Sequence, residues 1–275
     1  MTISSTATAP RITLPAPPFV LLSLLVVAII IAWSVAPNLF TSFDSAVGVP
    51  ADKLQAPSAA HWFGTDHLGR DLLARVIHGT ASSVSSAMIA VLIALFLGGL
   101  TGLLAGFLGG WVDTVLARLV DVLLAIPNFL LAVIVVTALG FSTTNAAIAT
   151  GISAVAVFAR VMRSEVIKTR SATFVEASFL SGGSRWHILT QHVLPNASRS
   201  VLPLAVLRFG QSVLTIAGLA FLGYGDPPPA SDWGLLISIG KDYLRWPWLL
   251  YAPALVTVIT VLSLNRISRW LRKTD

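Results

Sequence analysis

Long apolar runs broken by short polar stretches set the pattern of this chain. Runs at 19–37, 81–107, 120–140, 145–162, 199–222 and 249–267 each come close to the roughly 20 residues that a helix needs to cross a bilayer. They predict an all-α integral membrane protein with six transmembrane helices. Glycines cluster in the second run (Gly98, Gly99, Gly102, Gly106), as they do where membrane helices pack backbone to backbone. Pro127 removes a backbone donor from the third run and is expected to kink it. Ser34-Val35-Ala36 has the small-x-small look of a leader cleavage site. Pro37 follows at once, the run is long for a leader and only Arg11 precedes it, so an uncleaved first span is expected. Residues 1–18 are small, polar and proline-rich and read as disordered.

Composition strengthens this reading. Of the 275 residues 55% are hydrophobic and 11% charged, against roughly 25% charged in a soluble domain. The chain has no cysteine, which removes disulfides, thiolate metal sites and Cys nucleophiles. Cations decide the orientation. With the N-terminus inside, inner segments hold twelve Lys or Arg, mostly in 160–199 and 266–273, and outer segments hold five. Both termini are therefore expected to be cytoplasmic. Two outer loops follow, at 38–80 and 223–248, with Trp233, Trp246 and Trp248 placed to suit an aromatic belt.

One stretch, 164–199, is too polar to span. Within it Thr173–Ser181 predicts a short helix with Phe174, Ala177 and Leu180 on one face. Gly182-Gly183 ends it, Ser184 caps a second helix, and Trp186, Leu189 and Val193 form that helix's stripe. Pro195 predicts a stop at Leu194. Two short amphipathic helices would then lie across the mouth of the spans, either resting on lipid headgroups or presenting a surface to a soluble partner.

The motifs point to a family. Glu176-Ala177-Ser178, Gly182 and Leu194-Pro195 resemble the pattern E-A-A-x3-G-x9-I-x-L-P of the EAA loop in inner-membrane permeases of binding-protein-dependent ABC importers. Ser178 and His192 depart from it, and the His variant is similar to the dipeptide/oligopeptide/nickel branch. His61-Trp62-Phe63-Gly64-Thr65-Asp66-His67-Leu68-Gly69-Arg70-Asp71 resembles that branch's outer HPFGTD-x-LGRD motif. Arg160, Arg163 and Glu165 match its R-x-x-R-x-E run. Phe221-Leu222-Gly223-Tyr224-Gly225, Pro227-Pro228 and Trp233-Gly234 resemble its FLGLG-x-x-PP-x-P-x-WG turn. The usual N-x-x-G-D-x-L-R-D ending is reduced to Asn265, Arg266 and Arg269-Trp270-Leu271-Arg272, which leaves the tail without an assigned role.

The resemblance implies a type I ABC importer permease fold. It divides the chain into the N-terminal segment 1–18, a first helix at 19–37, an outer loop at 38–80, a transmembrane domain at 81–267 and a basic tail at 268–275. It implies half of a pore in the bacterial inner membrane, moving dipeptides or short oligopeptides. Its partners would be a homologous second permease (a heterodimer), two cytoplasmic ATPase subunits, an extracytoplasmic binding protein and the lipid bilayer, with no nucleic acid. Glu176, Ala177, Gly182, Gly183, Trp186, Leu194 and Pro195 would couple to the ATPase. The chain has no G-x4-GK[ST], so ATP and magnesium are expected on the ATPase subunits and neither catalysis nor a cofactor on this chain.

Two further groups remain. Arg208, ten residues into the fifth span, and Gln211 are candidates for the substrate pathway. Arg208 would attract a peptide carboxylate, or pair with an acid on the partner permease or a neighbouring span. Gly64, Thr65, Asp66, Gly69, Arg70 and Asp71 would form a structural motif or a binding-protein contact. With His61, His67 and His78 nearby, a nickel site in that loop is an alternative to an Asp–Arg and capping network, but no metal is expected. Nickel or glutathione import, a membrane-embedded hydrolase and a stand-alone secondary transporter are the competing functions.

Overall fold

The structure is a computed structural model and describes residues 17–274; the N-terminal segment read as disordered lies outside the described residues up to 16. Ten α-helices account for most of them: α1 Pro18–Val35, α2 Leu72–Leu108, α3 Gly110–Ala125, α4 Asn128–Leu139, α5 Thr143–Arg170, α6 Thr173–Leu180, α7 Arg185–Ile188, α8 Leu194–Phe221, α9 Trp233–Gly240 and α10 Trp248–Thr274. Five stretches are long and apolar enough to cross a membrane alone: α1, α2, α5, α7 running on into α8, and α10.

The third span departs from the expectation. Instead of a kinked helix at 120–140, α3 and α4 meet at 93°. Ile126 is pushed into an extended conformation (φ −92°, ψ 129°) by the proline ring that follows, so Pro127 breaks the helix. The first half also begins ten residues earlier than expected and carries Asp113, Arg118 and Asp121. Asp113 pairs with Arg163, and Asp121 with Arg160, on α5.

Helix α2 packs against α5 along a seam of small residues. A Cβ on Gly98 would overlap the Val155 carbonyl and one on Gly102 the Ala159 carbonyl, while Gly151 of α5 faces Ala90. Glycine is required at these close approaches. The contacts advance in step, from Ala90–Gly151 to Gly102–Ala159 to Gly106–Val166, so the two helices are parallel. The bent pair must therefore carry the chain back across the bundle. It runs antiparallel to α5, from Asp113 opposite Arg163 to Val136 beside Ala146. Helices α8 and α10 are antiparallel, with Gly210 at Leu264 and the Pro203 carbonyl accepting from the Ser268 hydroxyl at 2.7 Å.

Several boundaries move. The loop expected at 38–80 ends at Asp71, which caps α2 by accepting from the Ala74 amide at 2.7 Å. The tail expected at 268–275 continues α10 through Thr274. Trp233 does not belong to an interfacial belt. It is fully buried, and its Nε1 donates to the Val76 carbonyl at 3.2 Å.

Candidate coupling site and outer cap

At the end of the bundle where α2 and α5 finish, α6 and α7 fold back across the mouth. Helix α6 ends in a Schellman turn. The Gly183 amide donates to the Ser178 carbonyl at 3.0 Å, the Gly182 amide to the Phe179 carbonyl at 3.1 Å, and Gly182 has φ +86°. A side chain at Gly182 would meet open space, so its backbone angle alone favours glycine. At Gly183 a Cβ would crowd the Ser178 carbonyl and hydroxyl. Ser184 then caps α7, its Oγ accepting from the His187 amide at 3.2 Å.

Inward-facing residues fix this unit. Val175, Ile188 and Val193 are buried in one cluster with Val91 and Ala94 of α2 and Phe158, Met162 and Val166 of α5. The outward face is apolar too. Phe174, Phe179, Leu180 and Trp186 are all exposed, the last two at 81% and 72%. The expected stripe of Phe174, Ala177 and Leu180 exists, but it points away from the bundle. Trp186 and Val193, expected on one stripe, face opposite ways.

The expected stop at Leu194 is also absent. Residues Leu189–Val193 form one π-helical turn and α8 continues from Leu194, which is helical (φ −61°, ψ −47°) despite the following proline. A π turn accepts an extra residue and widens the ladder, which makes room for a ring that cannot donate. The Asn196 side-chain amide donates to the His192 carbonyl at 2.6 Å, an extra tie across the turn. His192 packs edge-on against Phe174 (6.0 Å) and His187 (5.8 Å), tying α6 to the turn.

Of the expected coupling residues, Glu176, Ala177, Gly182, Trp186, Leu194 and Pro195 are exposed and Gly183 is half-buried. Sequence reasoning missed the cations around Glu176. A cavity of about 510 Å³ is lined by Glu176, Val175 and Phe179 of α6, Arg185 and Ile188 of α7, Arg170 and Ser171, and Phe107 and Leu108 of α2. The Arg170 guanidinium donates to the Phe107 carbonyl at 3.1 Å, near the negative end of the α2 dipole.

The opposite end carries a folded cap. Asp66 is its centre: Oδ2 accepts from Arg70 Nε (2.7 Å) and Arg75 Nη1 (2.8 Å), and Oδ1 from the Leu68 (2.8 Å) and Arg70 (3.0 Å) amides. All three charged side chains are almost fully buried. Burial pushes the Asp66 carboxyl up, but the Arg70 and Leu68 amides and the Arg70 guanidinium outweigh it and hold it below its ordinary range. Arg75 Nη2 donates to the Ala230 carbonyl at 2.7 Å and Trp248 Nε1 to the Thr65 carbonyl at 3.3 Å, so the cap clasps both ends of the second outer loop. Gly64 (φ +73°) and Gly69 (φ +78°) permit the turns, each against neighbouring backbone.

Gly64, Thr65, Asp66, Gly69, Arg70 and Asp71 are thus brought together as structure. The buried carboxylates and guanidiniums are not available to touch a docked protein. His61 Nδ1 lies 2.9 Å from Asp71 Oδ2 and His67 stacks on Tyr243 at 5.0 Å. Burial lowers the His67 pKa despite the neighbouring Asp66. Among the described residues no three His, Asp or Glu converge as metal ligands. Asp232 caps α9 through Oδ1, accepting from the Leu235 amide at 3.1 Å, and burial raises its carboxyl above the ordinary value. Its Oδ2 has no hydrogen-bond partner.

Arg208 stands at the middle of α8, about 20 Å from either end at 1.5 Å per residue. It is half-buried, and Gln211, one turn toward the cap, is exposed.

The family described as "Binding-protein-dependent transport system inner membrane component" matches residues 98–274. A dipeptide transport system permease protein, DppC, from Alkalihalophilus pseudofirmus is 37% identical over 253 residues, covering 92% of this chain and 83% of that protein. Glutathione transport system permease proteins, GsiD, from Shigella flexneri (40% over 256 residues, 92% and 82% covered) and Pectobacterium atrosepticum (34% over 219 residues, 79% and 73% covered) are also similar. Among solved structures, an amino acid ABC transporter aligns with TM-score 0.58 over 73% of this chain and 94% of that one. The inward-facing methionine transporter MetNI aligns with TM-score 0.60 over 74% and 98%. Both are 16% identical and share the fold.

Proposed function

This chain belongs to the family of binding-protein-dependent transport inner membrane components, and from that premise we propose that it forms half of a pathway for dipeptides or short oligopeptides, driven through α6 and α7. It is a multi-pass permease subunit of a binding-protein-dependent ABC importer. ATPase subunits and a binding protein are the partners that membership implies. The other half of the pathway would be a homologous permease, which makes the pore a heterodimer. The N- and C-termini would lie in the cytoplasm beside the ATPases. ATP and magnesium would be held by those subunits, leaving this chain to transmit force without catalysis of its own.

The observation that carries the coupling role is the two-sided build of α6 and α7. Val175, Ile188 and Val193 anchor the unit to α2 and α5, while Phe174, Leu180 and Trp186 face outward with Glu176 among them. Apolar area left exposed on a rigid, polar-edged element suits a protein partner. Because the anchors lie on the two parallel helices, movement of a docked ATPase would rock them as a body. Glu176 would make a charge-assisted contact with the ATPase, and the Gly182 turn would set the angle between the helices.

Dipeptide cargo draws support from the 37% identical dipeptide permease. Glutathione, itself a small peptide, is the second reading, favoured by the 40% identical relative. The test is uptake by the complete complex reconstituted in liposomes, with peptide or glutathione supplied through its binding protein. Glu176→Lys and Gly182→Asp are expected to cut uptake at least tenfold, a loss of about 1.4 kcal/mol or more in coupling, with normal membrane insertion. Full uptake by a normally inserted Gly182→Asp complex would overturn the coupling assignment.

A further inference from the structure

The middle of α8 holds a cation without a counter-charge among the described residues. Arg208 Nε is buried with no hydrogen-bond partner. None of the ion pairs among the described residues includes Arg208. The sequence excludes a hidden partner within the long helices: α1, α2, α8 and α10 have no Asp or Glu, and the only one in α5 is Glu165, near its end. Asp113 and Asp121 of α3 already pair with Arg163 and Arg160. A guanidinium at mid-span is costly unless it meets an anion or water, and no unpaired acid of these helices supplies the anion.

The rest of α8 indicates what meets Arg208. Gln211, one turn along α8, is a second polar side chain and is exposed, with Leu214 exposed beyond it. A permanent inter-subunit ion pair would need one acid and leave Gln211 without a task. A cation followed by a neutral donor and acceptor along the same helix suits a solute that is polar along its length and moves past.

Resting on the peptide reading above, we propose that Arg208 receives the C-terminal carboxylate of the peptide at the middle of the pathway, with Gln211 as the next hydrogen-bonding station. The pair is transient, since a carboxylate held by one guanidinium is charge-assisted but open on its other side. Arg208 is then a specificity-determining residue for a free carboxyl end.

The test compares a dipeptide with its C-terminal amide in liposomes that hold the complete complex, at saturating binding protein. For each solute the readout is the uptake of a variant divided by that of the wild type, so that discrimination by the binding protein cancels. Arg208→Gln is expected to reduce carboxylate uptake about tenfold or more, while uptake of the amide changes less than twofold. Arg208→Lys, which keeps the charge, is expected to retain most of the preference. An equal fall for both solutes in Arg208→Gln, or no fall for either, would overturn the proposal. If Arg208→Gln does not assemble, the outcome rests on Arg208→Lys: loss of the preference in that variant would also overturn it. Failure of the wild-type complex to take up either solute would instead sink the peptide reading itself.

Discussion

Individual residues in the cap have charge states that follow from what surrounds them. Asp66 has four donors and stays ionised; Asp232 has one donor on Oδ1, none on Oδ2, and is driven toward the neutral form. A carboxyl raised above its ordinary value costs nothing at low pH, where both folded and unfolded forms are protonated. It becomes destabilising as pH rises above 3.8, the value it would have unfolded. Asp232→Asn keeps the cap acceptor for Leu235 and removes the ionisation. Its melting temperature at pH 8 should therefore exceed that of the wild type by roughly 2–4 °C, corresponding to about 1 kcal/mol. The gain should shrink toward zero by about pH 4, and scanning calorimetry of the detergent-solubilised protein across that range checks it. A shift of equal size at every pH would show that the ionisation is irrelevant. At this scale the sequence was legible where one residue acts on its immediate neighbours: Ser184 as a cap and Gly182 as the turn, whereas Asp71, the cap of α2, lay inside the expected loop. It was silent on Arg75, whose two side-chain ties run to Asp66, nine residues earlier, and to Ala230, 155 residues later. Partners so far apart leave no local spacing to read.

Elements diverged from the sequence pattern at two prolines, Pro127 and Pro195, while Pro203 and Pro253 sit inside α8 and α10 as expected. The same residue type breaks α3 from α4 at Pro127 and is absorbed at Pro195. The difference lies in the flanks: an extended Ile126 on one side, a π turn and the Asn196–His192 bond on the other. Helical periodicity assumes 3.6 residues per turn, so one wide turn puts Trp186 and Val193 on different sides. That division can be tested. Val193→Ala should cost roughly 1–3 kcal/mol of stability, as a fully buried methyl pair is lost from the cluster against α5. Trp186→Ala, at an exposed position, should leave the unfolding free energy within about 0.5 kcal/mol of the wild type and still weaken retention of the ATPase subunits on affinity purification. Equal stability losses in the two variants would mean that the outward face is not an interface. The short helices themselves were legible because the cap, the glycines and the three-four spacing are all local. Which side faces away from the bundle was not, since both sides are apolar.

For the whole molecule, direction of travel is the decisive quantity. Parallel α2 and α5 require a return crossing, and only the bent α3–α4 pair can supply it, so the chain crosses six times and its described ends fall on one side. The six apolar runs gave the same parity even though the third was misplaced, because parity depends on the number of crossings and not on their shape. The cations, which favour the α6–α7 end over the capped end, predict that this side is cytoplasmic. The absence of native cysteine makes this testable without background labelling. Ala46→Cys, exposed in the outer loop, should react with a membrane-impermeant maleimide in intact cells from which the outer membrane has been stripped. Ser181→Cys, exposed beside the Gly182 turn, should react only after the inner membrane is opened. Joint expression with the ATPase subunits should then shield Ser181→Cys if, as proposed, they dock across Leu180 and Trp186, and leave Ala46→Cys unchanged. Labelling of Ser181→Cys in sealed cells would invert the orientation and place α6 and α7 where no ATPase could reach them.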